Sequence, residues 1–326
     1  MRAIAARVAQ SLGLILAVIV LNFFLIQIAP GDAATAIAGD QSASDPEVLE
    51  EIREQYGLDK PVIVQLGIYV GNVLRGDLGE SIWFNEPVTS LLADRIGPTL
   101  LLSTAALGFA LIVGVSIGTV AARKPESPLS HSVTVLALIG FAMPAFWTGL
   151  LLLILVGVRF DFFPVSGIHD VDFEGNWFQS WLDIAQHLIL PALTLGIIYL
   201  AQYSRLSRAS MLEVLESDYV RTARAKGLSE RSVVFKHGLR NGIIPVVTIL
   251  GLQFGAVLSG AILVESVFAW PGLGRLAFEA VTRRDTPVLL GVLLLVSVSV
   301  IVANLLTDVV YRMIDPRIRV SGGAND

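Results

Sequence analysis

Long apolar stretches separated by short polar ones dominate the chain. A helix needs about 20 mostly apolar residues to cross a bilayer. Five segments meet that requirement, roughly 9–29, 98–121, 133–157, 243–264 and 287–311. A sixth, roughly 187–203, is shorter and carries Pro191. It counts as a span because neighbouring helices can re-satisfy a backbone freed by proline. Residues 61–74 are apolar but too short to span. They hold Gln65 and Asn72, end at Arg75, and repeat Val62, Leu66, Tyr69, Val70 and Val73 at helical spacing. That pattern predicts an amphipathic helix at the membrane surface. The fold class expected is an all-α membrane protein with six transmembrane helices.

Composition agrees. Apolar residues make up 54% of the 326 and charged residues 16%, against about 45–50% and about 25% in soluble domains. Mean hydropathy is +0.71. The net charge of −5 supplies no basic field for nucleic acid. There is no cysteine, which excludes disulfides, thiol catalysis and Cys-ligated metals. Four histidines argue against a His-rich metal site, so neither a metal nor a cofactor is expected.

Charge also sets the expected orientation. With six spans and both termini cytoplasmic, fifteen of the 23 Lys and Arg fall inside and eight outside, as the positive-inside rule requires. Arg2 and Arg7 precede the first apolar run, and Ala34-Thr35-Ala36 resembles a cleavage site. The run exceeds the 7–15 residues usual for a secretory signal, so it reads as a retained first helix. The chain then divides into residues 1–97 (the first helix and a long acidic outer segment), 98–311 (a five-helix core) and 312–326 (a cytoplasmic tail).

In the outer segment, Ser44-Asp45-Pro46-Glu47 predicts a capping box opening a short helix to about Tyr56. This segment is read equally as a cap over helix ends or a docking surface. The loop at about 158–186 is acidic and aromatic, favouring an interfacial belt over contact with a passing substrate. Residues 204–242 form a long basic cytoplasmic loop. Helical character persists to Ala225, Gly227 breaks it, and Ser229 caps a second short helix carrying Val233, Val234 and Leu239. Two short helices bury little core of their own, so an apolar face there points to another protein's groove.

No Gly-x-x-x-x-Gly-Lys-[Ser/Thr] occurs, so the chain has no phosphate loop of its own. Gly114-Val115-Ser116-Ile117-Gly118 matches a hydrolase elbow but lies inside a predicted span, where Gly-x-x-x-Gly reads as a helix-packing motif. Gly251, Gly255 and Ser259 repeat that spacing. An intramembrane serine protease would need a base at membrane depth, with His187 the one candidate. A stand-alone carrier or channel would call for midplane ionisable groups. Asp308 and Glu265 lie near span ends instead. Asn22, Gln27, Gln253 and Asn304 read as helix bridges more readily than as path-lining groups. Gln253, Ser259 and Glu265 are nonetheless the candidates for a translocation path. No catalytic residue is expected.

Residues 219–245, YVRTARAKGLSERSVVFKHGLRNGIIP, resemble the cytoplasmic signature loop of binding-protein-dependent ABC transporter permeases, in particular the dipeptide/oligopeptide/nickel class. The general signature is Glu-Ala-Ala followed after three residues by Gly. Here those positions are Arg221, Thr222, Ala223 and Gly227, and the departure is typical of the peptide class. Ala29–Asp32, Tyr56–Pro61, Arg75–Ser81, Pro98–Leu100 and Val264–Gly274 agree with that class too.

The resemblance implies a type I importer permease fold in the bacterial inner membrane. It implies a second homologous permease, two P-loop ATPase subunits and an extracytoplasmic solute-binding protein as partners, with lipid around the spans and no nucleic acid. Di- or oligopeptides are the class default for substrate, with nickel chelates, glutathione and oligosaccharides as alternatives. ATP hydrolysis belongs to the partners. Asp218, Tyr219, Arg221, Ala223, Lys226 and Gly227 are the implied coupling residues, with Arg221 and Lys226 available to acidic groups of an ATPase.

Overall fold

The structure, a computed structural model, describes residues 2–28, 34, 45–56, 59–81, 83–160, 162–171 and 173–314. Its helices are α1 (Arg2–Ile28), α2 (Pro46–Tyr56), α3 (Val62–Leu74), α4 (Val88–Ala122), α5 (Pro128–Ala142), α6 (Ala145–Gly157), α7 (Trp177–Leu215), α8 (Asp218–Ala225), α9 (Glu230–Gly242), α10 (Ile244–Gly260), α11 (Ile262–Val267), α12 (Leu273–Arg283) and α13 (Thr286–Ile314). A two-residue ladder pairs β1 (Glu80–Ser81) with β2 (Glu86–Pro87), antiparallel. Among the described residues, four helices are long and apolar enough to cross a membrane. The count reaches six if each of two bent pairs, α5 with α6 and α9 with α10, forms one span.

Two prolines act in opposite ways: Pro144 breaks its helix, and Pro191 is tolerated within one, as expected of it. The predicted span 133–157 is not one straight helix. Pro144 bends α5 against α6 by 106°. A residue preceding proline is driven out of the helical region, and Met143 sits at φ −81, ψ 131. The predicted short span 187–203 is instead the middle of α7, a 39-residue helix that runs through Pro191. Pro191 deprives only the His187 carbonyl of its helical donor. At 1.5 Å per residue α7 is about 58 Å long, nearly twice an ~30 Å hydrocarbon core. The segment expected as part of a loop at 177–186, and the first part of the 204–225 stretch expected to be helical, are thus its two ends.

The chain divides into two compact units, Met1–Thr99 with Pro271–Val302, and Leu100–Trp270 with Ala303–Asp326. In the first, Val88, Leu91 and Leu92 of α4 pack with Leu273, Leu276 and Ala280 of α12 and with Val288 and Val292 of α13. The amphipathic α12 was not foreseen from the sequence. A helix, α3, forms where one was expected, with Val62, Ile63 and Leu74 exposed. Its buried flank carries a polar group: Gln27 Nε2 donates to Gln65 Oε1 at 2.6 Å. Asn22 Nδ2 likewise donates to the Leu290 carbonyl at 3.1 Å, so both residues bridge helices. At the start of α2, Asp45 accepts from the Glu47 N–H at 3.0 Å. Asp45 is therefore a cap, while Ser44 lies outside the described residues.

In the second unit the core gathers Leu102 and Leu107 of α4, Leu190, Leu195 and Tyr203 of α7, Val246 of α10, and Val264, Phe268 and Trp270. Helices α4 and α7 approach closely at Gly118, where a Cβ would lie 2.4 Å from the Ser204 carbonyl oxygen. This is the packing role expected of Gly-x-x-x-Gly. Ser116 between the glycines is exposed and donates to the Ile112 carbonyl of its own helix at 2.6 Å. It therefore has none of the geometry of a nucleophile on a strand-to-helix elbow.

Candidate functional site

The loop singled out by sequence folds as a small compact layer at the C-terminal end of α7. Ser217, with φ −69 and ψ 153, turns the chain out of α7 and opens α8. Asp218 stands in the first turn of α8, where a negative charge meets the positive end of the helix dipole. Val220 and Ala223, three apart, share one face and are buried. They join Ala122, Met211, Leu215, Val233 and Val234 in a separate apolar cluster. The expected sequence of helix, glycine turn and helix is therefore present.

Gly227 ends α8 in a two-bond cap. Its N–H donates to the Arg224 carbonyl at 2.9 Å, and the Leu228 N–H donates back to the Ala223 carbonyl at 3.4 Å. This is the Schellman arrangement, which needs a left-handed residue after the helix. Gly227 supplies it with φ +76. Ser229 then caps α9, accepting from the Ser232 N–H at 3.4 Å. Within α9 the turn over Val233–Gly238 widens to π-helical geometry, placing Val233 and Val234 in the cluster.

Arg224, which sequence reasoning passed over, ties this layer together. Its Nη2 and Nε reach the two carboxylate oxygens of Glu230 at 2.8 and 3.2 Å, and its Nη1 donates to the Leu215 carbonyl at 3.2 Å. One guanidinium thereby joins the ends of α7, α8 and α9 in a forked geometry that lysine cannot reproduce. The hydrogen-bonded guanidinium holds the Glu230 carboxyl below its ordinary value, and Glu230 raises Arg224 in return. Six residues and a turn separate the partners, so no helical spacing rule marks them in the sequence.

The implied coupling residues fall into two groups. Ala223 is buried and packs inward. Asp218, Tyr219, Arg221, Lys226 and Gly227 are exposed. Arg221 pairs with Asp218 on the surface of α8, an exposed contact of the kind worth about 0–1 kcal/mol and easily exchanged. The Tyr219 hydroxyl accepts from Asn241 Nδ2 at 2.9 Å. Beside it opens a depression of about 610 Å³ lined by Tyr219, Lys236, His237, Arg240, Asn241 and Ile244. The exposed surface of this layer is thus basic and concave.

The path candidates are dispersed. Gln253 of α10 accepts from the Tyr203 hydroxyl at 2.5 Å and donates to Gln202 Oε1 at 2.6 Å, bridging α10 to α7. Glu265 is wholly buried on α11. The Ser259 side chain lies outside the described residues.

Residues 114–320 match the family described as binding-protein-dependent transport system inner membrane component, and residues 1–103 match its N-terminal companion. The chain is 43% identical over 316 residues to the dipeptide transport system permease DppB of Escherichia coli, covering 92% of this chain and 93% of that one. It is 43% identical to the di/tripeptide permease DppB of Pseudomonas aeruginosa, covering 96% and 98%. Identity to the oligopeptide permease AppB of Bacillus subtilis is 39%, covering 97% and 98%. In fold it is similar to a chain of the inward-facing MetNI methionine ABC transporter, with a TM-score of 0.53 at 17% identity over 69% of this chain and 96% of that chain. With its apolar helices and the folded layer at the foot of α7, the chain belongs to the binding-protein-dependent ABC permease family, the inner-membrane components of ATP-driven importers.

Proposed function

We propose that this chain is a peptide permease subunit, forming part of the path for di- or oligopeptides, and that the layer at residues 217–242 couples it to an ATPase partner. The observation that carries this reading is the construction of that layer. Helix α8 is anchored by a buried apolar face, locked by the Gly227 cap, and tied by Arg224 to the end of the 39-residue α7. A force applied to α8 is passed to a stiff rod that reaches into the membrane. An energy-transfer element needs contacts that differ between two states. The exposed Asp218–Arg221 pair and the basic depression beside Tyr219 offer groups that exchange partners without unfolding the layer. Arg221 and Lys226 would meet acidic groups of the ATPase.

The orientation proposed has six spans, with this layer and both termini on the cytoplasmic side. A second homologous permease completes the path, two P-loop ATPase subunits sit beneath, and a solute-binding protein delivers peptide from outside. The polar bridge of Gln202, Tyr203 and Gln253, with Ser259 and Glu265, contributes to the path. Peptide as substrate rests on the likeness to relatives named as peptide permeases.

The test is uptake of a radiolabelled dipeptide by cells expressing the full transporter. Replacement of Gly227 by valine should abolish uptake while the chain stays in the membrane at its normal level and ATPase activity no longer responds to loaded binding protein. Unchanged uptake by Gly227→Val would overturn the coupling assignment. Failure of the wild-type system to import any di- or oligopeptide would overturn the substrate.

A further inference from the structure

The layer at residues 217–242 has two open sides that differ in shape and charge. Val220 and Ala223 mark the buried side of α8. At about 3.6 residues per turn, Asp218 and Arg221 project from the opposite side, where they pair with each other. Tyr219 stands on the flank between. There the depression of about 610 Å³ opens, lined by Tyr219, Lys236, His237, Arg240, Asn241 and Ile244.

This flank suits an anion. Among the described residues no carboxylate lines it. The ion pairs described in the layer are Asp218–Arg221 and Arg224–Glu230. Lys236 and Arg240 are exposed and have no carboxylate partner among the described residues. The Tyr219 oxygen accepts from Asn241 Nδ2 at 2.9 Å. A phenol that accepts through its oxygen keeps its own proton to donate. Guanidinium, ammonium and phenol together form a donor set for phosphate oxygens, Arg240 as a fork and Lys236 as a point charge.

The remaining wall indicates where that phosphate comes from. Ile244 is the first residue of α10 and is exposed. Helices α9 and α10 reach the length of a span only as a pair, with a bend of 40° between them. The depression therefore lies at the bend, where the chain passes from a charged surface into an apolar helix. A lipid headgroup at that level uses both walls, with its phosphate on the cations and its acyl chains beside α10. A soluble anion leaves the Ile244 wall unused. Basic pockets beside spans on the cytoplasmic side hold anionic headgroups in this way.

We propose that the depression is a site for one anionic phospholipid of the cytoplasmic leaflet. Lys236, Arg240 and the Tyr219 hydroxyl hold its phosphodiester, and its acyl chains lie along α10. The site rests on the cytoplasmic placement of the layer proposed above. A headgroup held there fixes the flank of α8 and the start of α10 to the membrane surface. The Asp218–Arg221 side stays open to a protein partner.

The test reads binding directly, without peptide uptake or ATPase coupling, so its failure is distinct from theirs. The full chain is purified in a neutral detergent, delipidated and titrated separately with dioleoyl phosphatidylglycerol, dioleoyl phosphatidylcholine and glycerol 3-phosphate. Bound molecules are counted by native mass spectrometry. The expected result is one phosphatidylglycerol per chain, bound at least about tenfold more tightly than phosphatidylcholine. Lys236→Gln with Arg240→Gln should remove that preference, and Tyr219→Phe should weaken it. Both cations are exposed, so their replacement leaves the apolar cluster of the layer intact. Arg231→Gln, an exposed cation of α9 outside the depression, should leave binding unchanged. Equal binding of the two lipids, or an equal loss on Arg231→Gln, would overturn the site. Glycerol 3-phosphate binding as tightly as phosphatidylglycerol would assign the depression to a soluble phosphate and overturn the lipid. Release of the lipid when the ATPase subunits are added would give the depression to a protein partner and overturn it as well.

Discussion

The two ends of α7 are built from opposite materials. At the Trp177 end, Asn176 caps the helix through the Phe178 and Gln179 N–H groups, and Asp183 and His187 are buried with polar partners. At the Leu215 end, Met211, Leu215, Val220, Ala223, Val233 and Val234 form an apolar cluster, and the charges stay outside it. Buried polar groups make an arrangement that depends on every partner being present. Apolar burial is tolerant in detail and holds under load. The contrast suits the proposed coupling role, in which the layer stays folded while its surface contacts change.

This difference can be broken most severely from the apolar end. Val220→Asp places an unpaired charge in the cluster and should remove at least about 3 kcal/mol from the layer. Limited proteolysis in detergent should then cleave within 217–242 while the rest of the chain stays resistant. Next in size is Gly227→Ala, because an L-residue held at φ +76 is strained by about 1–2 kcal/mol. Amide exchange across α8 and α9 should accelerate roughly ten-fold, and uptake should fall with it.

A smaller effect is expected from Glu230→Gln, since the Arg224–Glu230 pair is about half exposed and worth at most about 1 kcal/mol. Its pH dependence is distinctive. The carboxyl is held below its ordinary value in the folded layer, so the stabilisation is present above the unfolded value and disappears as pH falls through the folded one. Thermal unfolding followed by fluorescence should separate wild type from Glu230→Gln at pH 7, and the two should converge under strong acid. The smallest effect sharpens the contrast from the polar end. Asp183→Asn should weaken its contacts with His169 and His187 and raise exchange only around residues 169–187, leaving 217–242 untouched, measured by the same exchange experiment.

Much of the architecture was legible because lipid imposes a strong rule on sequence. Long apolar runs marked most spans, and the Gly227–Ser229 break marked the folded layer at residues 217–242. Proline was harder to read. Pro144 and Pro191 look alike in a hydropathy profile. Yet Met143 before Pro144 leaves the helix, while α7 passes through Pro191 within a packed core. That outcome depends on tertiary neighbours, which a linear pattern does not carry. The same limit hid Arg224, whose partners lie across a turn and on another helix. It also hid the approach of Asp170 to Asp183 and His187, since only a folded segment brings residue 170 to the face of α7. Helix α12 was missed because its 11 residues alternate charge and apolar character between two stronger apolar signals.

Gly227 carries a further consequence. A side chain built there would meet nothing within 4 Å. The position therefore excludes handedness and not bulk. D-alanine, a mirror-image residue at home at positive φ, would fit where L-alanine is strained. A semisynthetic transporter with D-alanine at 227 should import peptide, although the substituent is the same methyl group.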